Sequence, residues 1–117
     1  MININGTTIE MTRGDSLIVT VEILDDQGQT YQPVNGDKVR FAMKHNRLAA
    51  GQRGFIDNRP LVKKSIPTDT LVLQLDPADT AGLAFGEYAY DIELTHAGGI
   101  VDTFIADARL VLTPEVD

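Results

Sequence analysis

The chain has 117 residues, of which 43% are hydrophobic and 23% charged, and its formal net charge is −7. These values are typical of one globular domain, which we place at residues 1–117, and they argue against wholesale disorder. The absence of cysteine excludes a disulfide scaffold, a thiolate metal site and a cysteine nucleophile, and no apolar run or N-terminal segment predicts a membrane span or a signal peptide.

Five segments alternate apolar and polar residues with a period of two, at 17–24, 38–44, 71–76, 88–95 and 103–112. Alternation places one face of a strand on a core and the other in water, as in antiparallel sheets. With the turn signals between them, we count seven or eight strands and predict an all-β, immunoglobulin-like antiparallel β-sandwich. The predicted core residues are Leu17, Val19, Val21, Ile23, Val39, Phe41, Leu73, Tyr88, Tyr90, Ile92, Phe104 and Leu110.

Two turn signals predict hairpins. The Asn-Gly dipeptide at 5–6 is a two-residue hairpin signal, and it predicts that the short segments on either side of it pair with each other. The Ala-Gly-Gly stretch at 97–99 predicts a hairpin between the two longest strands, residues 86–95 and 100–112.

One stretch departs from the strand pattern and predicts a single helical turn near residues 77–82. Asp76 can cap this turn, Pro77 fits its first position, Asp79 lies at the capping-box offset, and Gly82 can end it. A short turn before a tyrosine-bearing strand is typical of the corner where the chain crosses between sheets in immunoglobulin-like domains. The expected members of this corner are Leu83, Gly86 and Tyr88.

No catalytic, metal-binding or cofactor-binding motif stands out. His45 and His96 lie in different connections without acids at metal-ligand spacing, so we expect surface loop histidines. Asp91 and Glu93 share a strand face and are expected to be solvated or interface carboxylates rather than a catalytic pair. The Arg-Gly-Asp tripeptide at 13–15 is expected to be a turn rather than an adhesive motif. We therefore predict a protein that is not an enzyme and that binds no cofactor or metal.

The charge is unevenly distributed along the chain. Residues 38–64 hold eight of the ten basic residues and a single acid, Asp57, so this segment carries +7 and the remainder −14. It includes the connection 45–60, whose length is typical of a functional or mobile loop. The predicted interaction surface consists of the basic residues of this segment and one loop aromatic: Lys38, Arg40, Lys44, Arg47, Arg53, Phe55, Arg59, Lys63 and Lys64.

Protein is the partner that this charge layout favours. Nucleic acid is not expected, because Phe41 is predicted to face the core, Phe55 is left as the loop aromatic, and the negative remainder would repel a polyanion. Opposed patches would allow identical subunits to dock head to tail, so a homo-oligomer is a hypothesis. Light scattering at high protein concentration and low salt tests this hypothesis, which a persistent monomer would contradict.

Four segments carry a resemblance to a known group of proteins. A Gly-Asp pair precedes the first long strand, a second precedes a Phe-containing strand, Gly-x-Tyr-x-Tyr-Asp-Ile follows Asp-Thr-x-x-Leu, and a last strand ends in Leu-Thr-Pro-Glu-Val. The segments read GDSLIVTVEI (14–23), GDKVRFAMK (36–44), LDPADTAGLAFGEYAYDIELT (75–95) and GGIVDTFIADARLVLTPEVD (98–117). The chain thereby resembles small β-sandwich proteins of phages and prophages of Gram-positive bacteria, and the N-terminal domain of phage baseplate upper proteins.

The resemblance implies a non-enzymatic virion structural protein of the tail or baseplate. Such a protein is made in the bacterial cytoplasm, is located in the virion and contacts other virion proteins. The connection 45–60 is longer and more basic than the resemblance leads us to expect. The alternative is a carbohydrate-binding or adhesive module, which would need exposed aromatic side chains. The chain has no tryptophan and only seven aromatic residues, most of them at core positions, which argues against this alternative.

Overall fold

The computed structural model of the protein describes residues 2–4, 8–25, 27–45 and 60–114, with the backbone alone at 2–4, 104, 106 and 107. Eight strands and one helical turn lie in these residues, which confirms the all-β class. The elements are β1 (Ile2–Ile4), β2 (Ile9–Thr12), β3 (Leu17–Val21), β4 (Lys38–His45), β5 (Val62–Ile66), β6 (Val72–Leu75), α1 (Pro77–Thr80), β7 (Gly86–Thr95) and β8 (Val101–Thr113). The described part of the chain contains no helix long and apolar enough to cross a membrane.

The described strands form two sheets, with the orders β1-β3-β6 and β2-β8-β7-β4-β5. Four of the six strand pairings are antiparallel, but β1 runs parallel to β3 and β2 runs parallel to β8. The expectation of wholly antiparallel sheets is therefore wrong. So is the hairpin predicted across residues 5–6, which themselves lie outside the described residues, because β1 and β2 belong to different sheets. Alternation reports which face of a strand is buried, not which strand lies beside it.

Both sheets contribute to one hydrophobic core. Phe41 of β4 and Tyr90 of β7 are its largest fully buried members, and their ring centroids lie 5.5 Å apart. Eleven of the twelve predicted core residues are buried, and the side chain of the twelfth, Phe104, lies outside the described residues. Burial of each large apolar side chain contributes roughly 1.5–3 kcal/mol before the loss of conformational entropy is counted.

The pairing of β8 with β7 is irregular. Tyr90 pairs with Ala108 whereas Ile92 pairs with Ile105, so three steps along β8 match two along β7, and a second shift follows after Ile92. Such bulges rotate the following side chains onto the other face. Ile105 is consequently buried, at 3% exposure, although alternation along 103–112 placed it on the polar face. The prediction is wrong at this residue because it assumed an unbroken pleat.

The predicted helical turn is present as α1. The carboxylate of Asp79 accepts a hydrogen bond of 2.7 Å from the backbone N–H of Asp76, which is the reach-back contact of a capping box. The turn ends at Thr80, and Ala81 follows as its C-cap in the right-handed region, so Gly82 is not the residue that stops it.

The corner between α1 and β7 is held by two long side chains. The hydroxyl of Tyr88 donates to the carbonyl of Ala84 at 2.7 Å, the contact that a tyrosine corner makes where the chain crosses between sheets. The guanidinium of Arg13 donates to the carbonyl of Leu83 at 3.1 Å and lies 4.2 Å from the ring centroid of Phe85. The chain therefore passes from β6 in one sheet to β7 in the other through a corner that these side-chain contacts stabilise.

The Arg-Gly-Asp tripeptide at 13–15 forms a turn between β2 and β3, as predicted. Gly14 adopts a φ of +83°, which favours glycine, and the Asp15 N–H donates to the Thr12 carbonyl at 3.1 Å. The Gly14 N–H donates to the hydroxyl of buried Thr80 at 2.8 Å. The turn thus connects the start of β3 to α1.

Candidate interaction surfaces and a polar cleft

The outer face of the five-stranded sheet gathers four residues of the predicted interaction surface. Lys38, Arg40 and Lys44 lie on the solvent-facing side of β4, and Lys63 of β5 lies opposite Ala42 on the same side. The antiparallel pairing of β4 with β5 brings these four cations onto one face. Outside the described residues lie Arg47, Arg53, Phe55 and Arg59.

Acids on the neighbouring strand β7 balance two of these cations. Arg40 forms an ion pair with Glu93, its cross-strand partner. Lys44 Nζ lies 3.4 Å from Asp91 Oδ2. Opposite charges that face each other across strands stabilise a sheet by roughly 0.2–1 kcal/mol per pair. The outer face therefore presents a row of cations beside a row of anions, not an undivided positive patch.

Lys64 lies apart from the other cations of the predicted surface. It pairs with Phe41, whose side chain is in the core, so Lys64 points to the inner side of β5. Its ammonium lies 2.9 Å from Asp79 Oδ2 and 3.3 Å from Asp76 Oδ2. Hydrogen bonds to Asp79 and Asp76 raise the pKa of Lys64 above its usual value, which keeps it charged. Lys64 therefore connects the edge strand β5 to α1, which lies where the chain passes from one sheet to the other.

A polar cluster lies where the segment 31–37 meets the β7–β8 hairpin. Asp37, only 7% exposed, accepts hydrogen bonds at one oxygen from the Tyr31 hydroxyl (2.8 Å) and the Val34 N–H (2.9 Å). Its other oxygen accepts a bond of 3.2 Å from the Ala97 N–H. The bonds from Val34 and Tyr31 hold the pKa of Asp37 below its usual value, and the same carboxylate raises the pKa of Tyr31. Asp37 is thus a buried anion that fastens two distant segments together.

His96 joins this cluster from the hairpin turn. Its Nε2 lies 2.7 Å from Asp102 Oδ2, and its Nδ1 lies 4.0 Å from Asp37 Oδ1. Its ring stands edge-on to that of Tyr31, with centroids 6.0 Å apart. The expectation of a surface loop histidine describes its place in the turn but not its two carboxylate neighbours. No group of three or more His, Asp or Glu side chains in the described ranges has a metal-binding arrangement.

A cleft of about 520 Å³ lies beside this cluster, between residues 23–25, which follow β3, and the start of β8. It combines apolar side chains with carboxylates, a histidine and hydroxyls, and its described lining contains no lysine or arginine. Its lining residues are Ile23, Leu24, Asp25, Tyr31, Leu94, His96, Asp102 and Thr103. We call it the acidic cleft.

Sequence reasoning missed this cluster, although one signal for it was present. The second Gly-Asp pair, Gly36-Asp37, precedes β4. Gly36 has a φ of +94°, and a Cβ built on it would lie 2.7 Å from the Cβ of Ala97. Glycine is therefore required by both conformation and space, and the adjacent aspartate is placed to bond the hairpin.

Comparison of the chain with protein-family models, with curated proteins and with solved structures finds no match.

Proposed function

We propose that this protein is a non-enzymatic structural component of a phage or prophage particle, a tail or baseplate adaptor that acts through protein–protein contacts. The order of the four segments that resemble phage β-sandwich proteins supports a place in a phage particle. The fold and the surface support a role in protein–protein contacts.

An immunoglobulin-like sandwich is the finer fold that we propose. The pair β3-β6 corresponds to strands B and E of that fold, and β8-β7-β4 corresponds to G, F and C, with β5 added beside C. The Tyr88 corner at the start of β7 supports the same correspondence. The parallel pairing of β1 with β3 departs from it.

Exposed apolar side chains at the hairpin end are the observation that carries the adaptor role. Ile100 and Val101 are 68% and 52% exposed, and Val34 is 60% exposed. The carboxylate of Asp37 bonds both Val34 and Ala97, which brings the Val34 turn to the hairpin. Exposed apolar residues gathered at one end of a domain mark protein contact sites. We call Val34, Ile100 and Val101 the hairpin patch.

The polar residues support a role without catalysis. Asp37 uses both oxygens in structural hydrogen bonds, and its buried position keeps it from acting on a substrate. A carbohydrate-binding module would need exposed rings, yet Phe41 and Tyr90 are buried and the exposed ring of Phe85 lies under the guanidinium of Arg13. A clear hit on a glycan array would favour that alternative.

The charge layout supports protein rather than nucleic acid as the partner. Arg40 and Lys44 are paired with acids of the same sheet face, which reduces the positive field that a phosphate backbone requires. Self-association remains a hypothesis, and light scattering at low salt tests it.

Incorporation into a particle tests the proposal. Particles are purified after induction of the source bacterium, and the protein in them is quantified by mass spectrometry relative to a major tail protein. We expect a fixed ratio for the parent chain, reduced about tenfold or more by Ile100→Asp, as for loss of an interface anchor. Ile18→Asp is the matched control, because Ile18 is similarly exposed on the other sheet. Absence of the parent chain from particles, or equal effects of both variants, would refute the proposal.

A further inference from the structure

Among the described strands, β2 covers only one end of the outer edge of β8. β8 has thirteen residues, and β2 pairs with the last four of them, Leu110–Thr113. Among the described residues, no strand pairs with the outer edge of Val101–Arg109. A strand edge without a neighbour offers N–H and C=O groups to an added strand. Because the first register shift follows Thr103, a regular ladder could form along Val101–Thr103.

The opposite edge of the same sheet is protected. Lys64 of β5 points inward and binds Asp76 and Asp79, and Pro60 precedes the strand. Inward-pointing charges and proline are devices that prevent edge strands from pairing with other chains. The start of β8 contains no proline, and Val101 at its end is exposed. Asp102 also points inward, because it pairs with buried Leu94, but its side chain is 63% exposed in the acidic cleft. The two edges of this sheet therefore differ, because Lys64 is held between two carboxylates of the domain whereas Asp102 stays accessible to a partner.

The acidic cleft lies directly beside the open part of β8, since Asp102 and Thr103 belong to both. Ile23 and Leu94 give it apolar walls. Asp25 and Asp102 give it negative charge, and the described residues that line it include His96, which contacts Asp102, but no lysine or arginine. One oxygen of Asp25 accepts the N–H groups of Gln27 and Gln29, both at 2.9 Å, which fixes the carboxylate. Apolar walls with two carboxylates match a side chain that has an aliphatic stem and a cationic end.

We propose that this edge and cleft bind an extended segment of a partner protein. The segment adds as a strand to Val101–Thr103 and places one lysine or arginine in the acidic cleft, beside Asp25 and Asp102. The inference rests on the proposed adaptor function and names the chemistry of the partner: an extended chain with a basic residue between β-forming residues.

A synthetic peptide serves as the probe, with the sequence Thr-Val-Thr-Lys-Thr-Val-Thr and blocked ends. Amide chemical shifts of the intact, isotope-labelled protein are followed as the peptide is added. We expect shifts and slower hydrogen exchange at the amides of Val101–Thr103. A peptide with glutamate in place of lysine should bind about tenfold more weakly, since it places a like charge beside two carboxylates.

Charge-neutralising variants provide the second arm. Asp102→Asn should weaken binding of the lysine peptide about tenfold, and Asp25→Asn should do so while its amide oxygen can still accept the turn N–H groups. Asp69→Asn is the matched control, because Asp69 is an exposed acid in the β5–β6 turn. It should leave affinity unchanged.

The inference would be overturned by unchanged amides at Val101–Thr103, by equal affinity for the lysine and glutamate peptides, or by equal effects of the Asp102 and Asp69 variants. Concentration-dependent shifts of these amides without peptide would assign the edge to a second copy and would also overturn it. Particle incorporation is measured separately. A chain that is incorporated into particles but does not bind the peptide would therefore refute the edge site and leave the proposed adaptor function standing.

Discussion

Replacing Gly36 with alanine tests whether the turn before β4 stabilises the fold through its contact with the hairpin. The methyl group would lie 2.7 Å from the Cβ of Ala97, closer than carbon atoms can approach, at a φ of +94°. A positive φ costs an L-residue roughly 1–2 kcal/mol, and overpacking costs roughly 1–3 kcal/mol more. We therefore expect Gly36→Ala to lower the free energy of unfolding by about 2–5 kcal/mol.

Two further variants separate the conformational cost from the steric cost. Gly28 also has a positive φ, +79°, but nothing lies within 4 Å of a Cβ built there, so Gly28→Ala should lose only about 1–2 kcal/mol. Adding Ala97→Gly to Gly36→Ala removes the methyl group that the new side chain would strike. The double variant should therefore be more stable than Gly36→Ala alone, which gives a coupling energy in a double-mutant cycle.

Urea denaturation provides the assay. The chain has three tyrosines and no tryptophan, so unfolding is followed by tyrosine fluorescence and far-UV circular dichroism, with a check that the m-value is unchanged. The reasoning would be refuted if Gly36→Ala were no more destabilising than Gly28→Ala. It would also be refuted if Ala97→Gly failed to recover any stability in the Gly36→Ala background.

Three other residues give separate predictions. Tyr88→Phe removes the hydrogen bond to the Ala84 carbonyl, and chemical denaturation should show a loss of about 1 kcal/mol; no loss would mean that the corner bond is not stabilising. Burial raises the pKa of Tyr90 to about 12, so its stabilisation is present below the usual tyrosine value near 10 and is lost as pH rises from about 10 to 12. Denaturation at pH 8 and pH 11 should show this loss, and Tyr90→Phe should reduce it. Lys64→Val removes the inward charge of an edge strand and should increase self-association in light scattering, whereas Lys63→Val on the outer side should not.

The core could be predicted because alternation reports burial directly. Val39 and Phe41 are buried wherever β4 lies in the sheet, since their parity alone places them inside. Parity also separates Lys63 from Lys64, because Lys64 shares its face with the buried ends of β5, so grouping the two lysines by charge overlooked available information. Ile105 could not be predicted in this way, since a bulge is set by pairing between strands rather than by the pattern within one.

The polar cluster could not be predicted because its members are distant in the chain. Asp37 and Ala97 are sixty residues apart and meet only once the antiparallel register of β4 and β7 is fixed. The contact of 2.7 Å between His96 Nε2 and Asp102 Oδ2 likewise depends on the hairpin that folds one residue back toward the other. Residue type and spacing along the chain report local structure, whereas these contacts depend on strand order.

The two Gly-Asp pairs have related structural roles at opposite ends of β7, the central strand of the larger sheet. Gly14 bonds Thr80 in α1, just before β7 begins, and Asp37 bonds Ala97, just after β7 ends. Both contacts fix segments next to the ends of this central strand. Substitutions in either Gly-Asp pair should therefore lower the free energy of unfolding. Changes at the open edge of β8 should instead alter binding without unfolding the domain. The two Gly-Asp pairs are therefore determinants of the fold, whereas the proposed partner contacts lie at the hairpin patch and the acidic cleft.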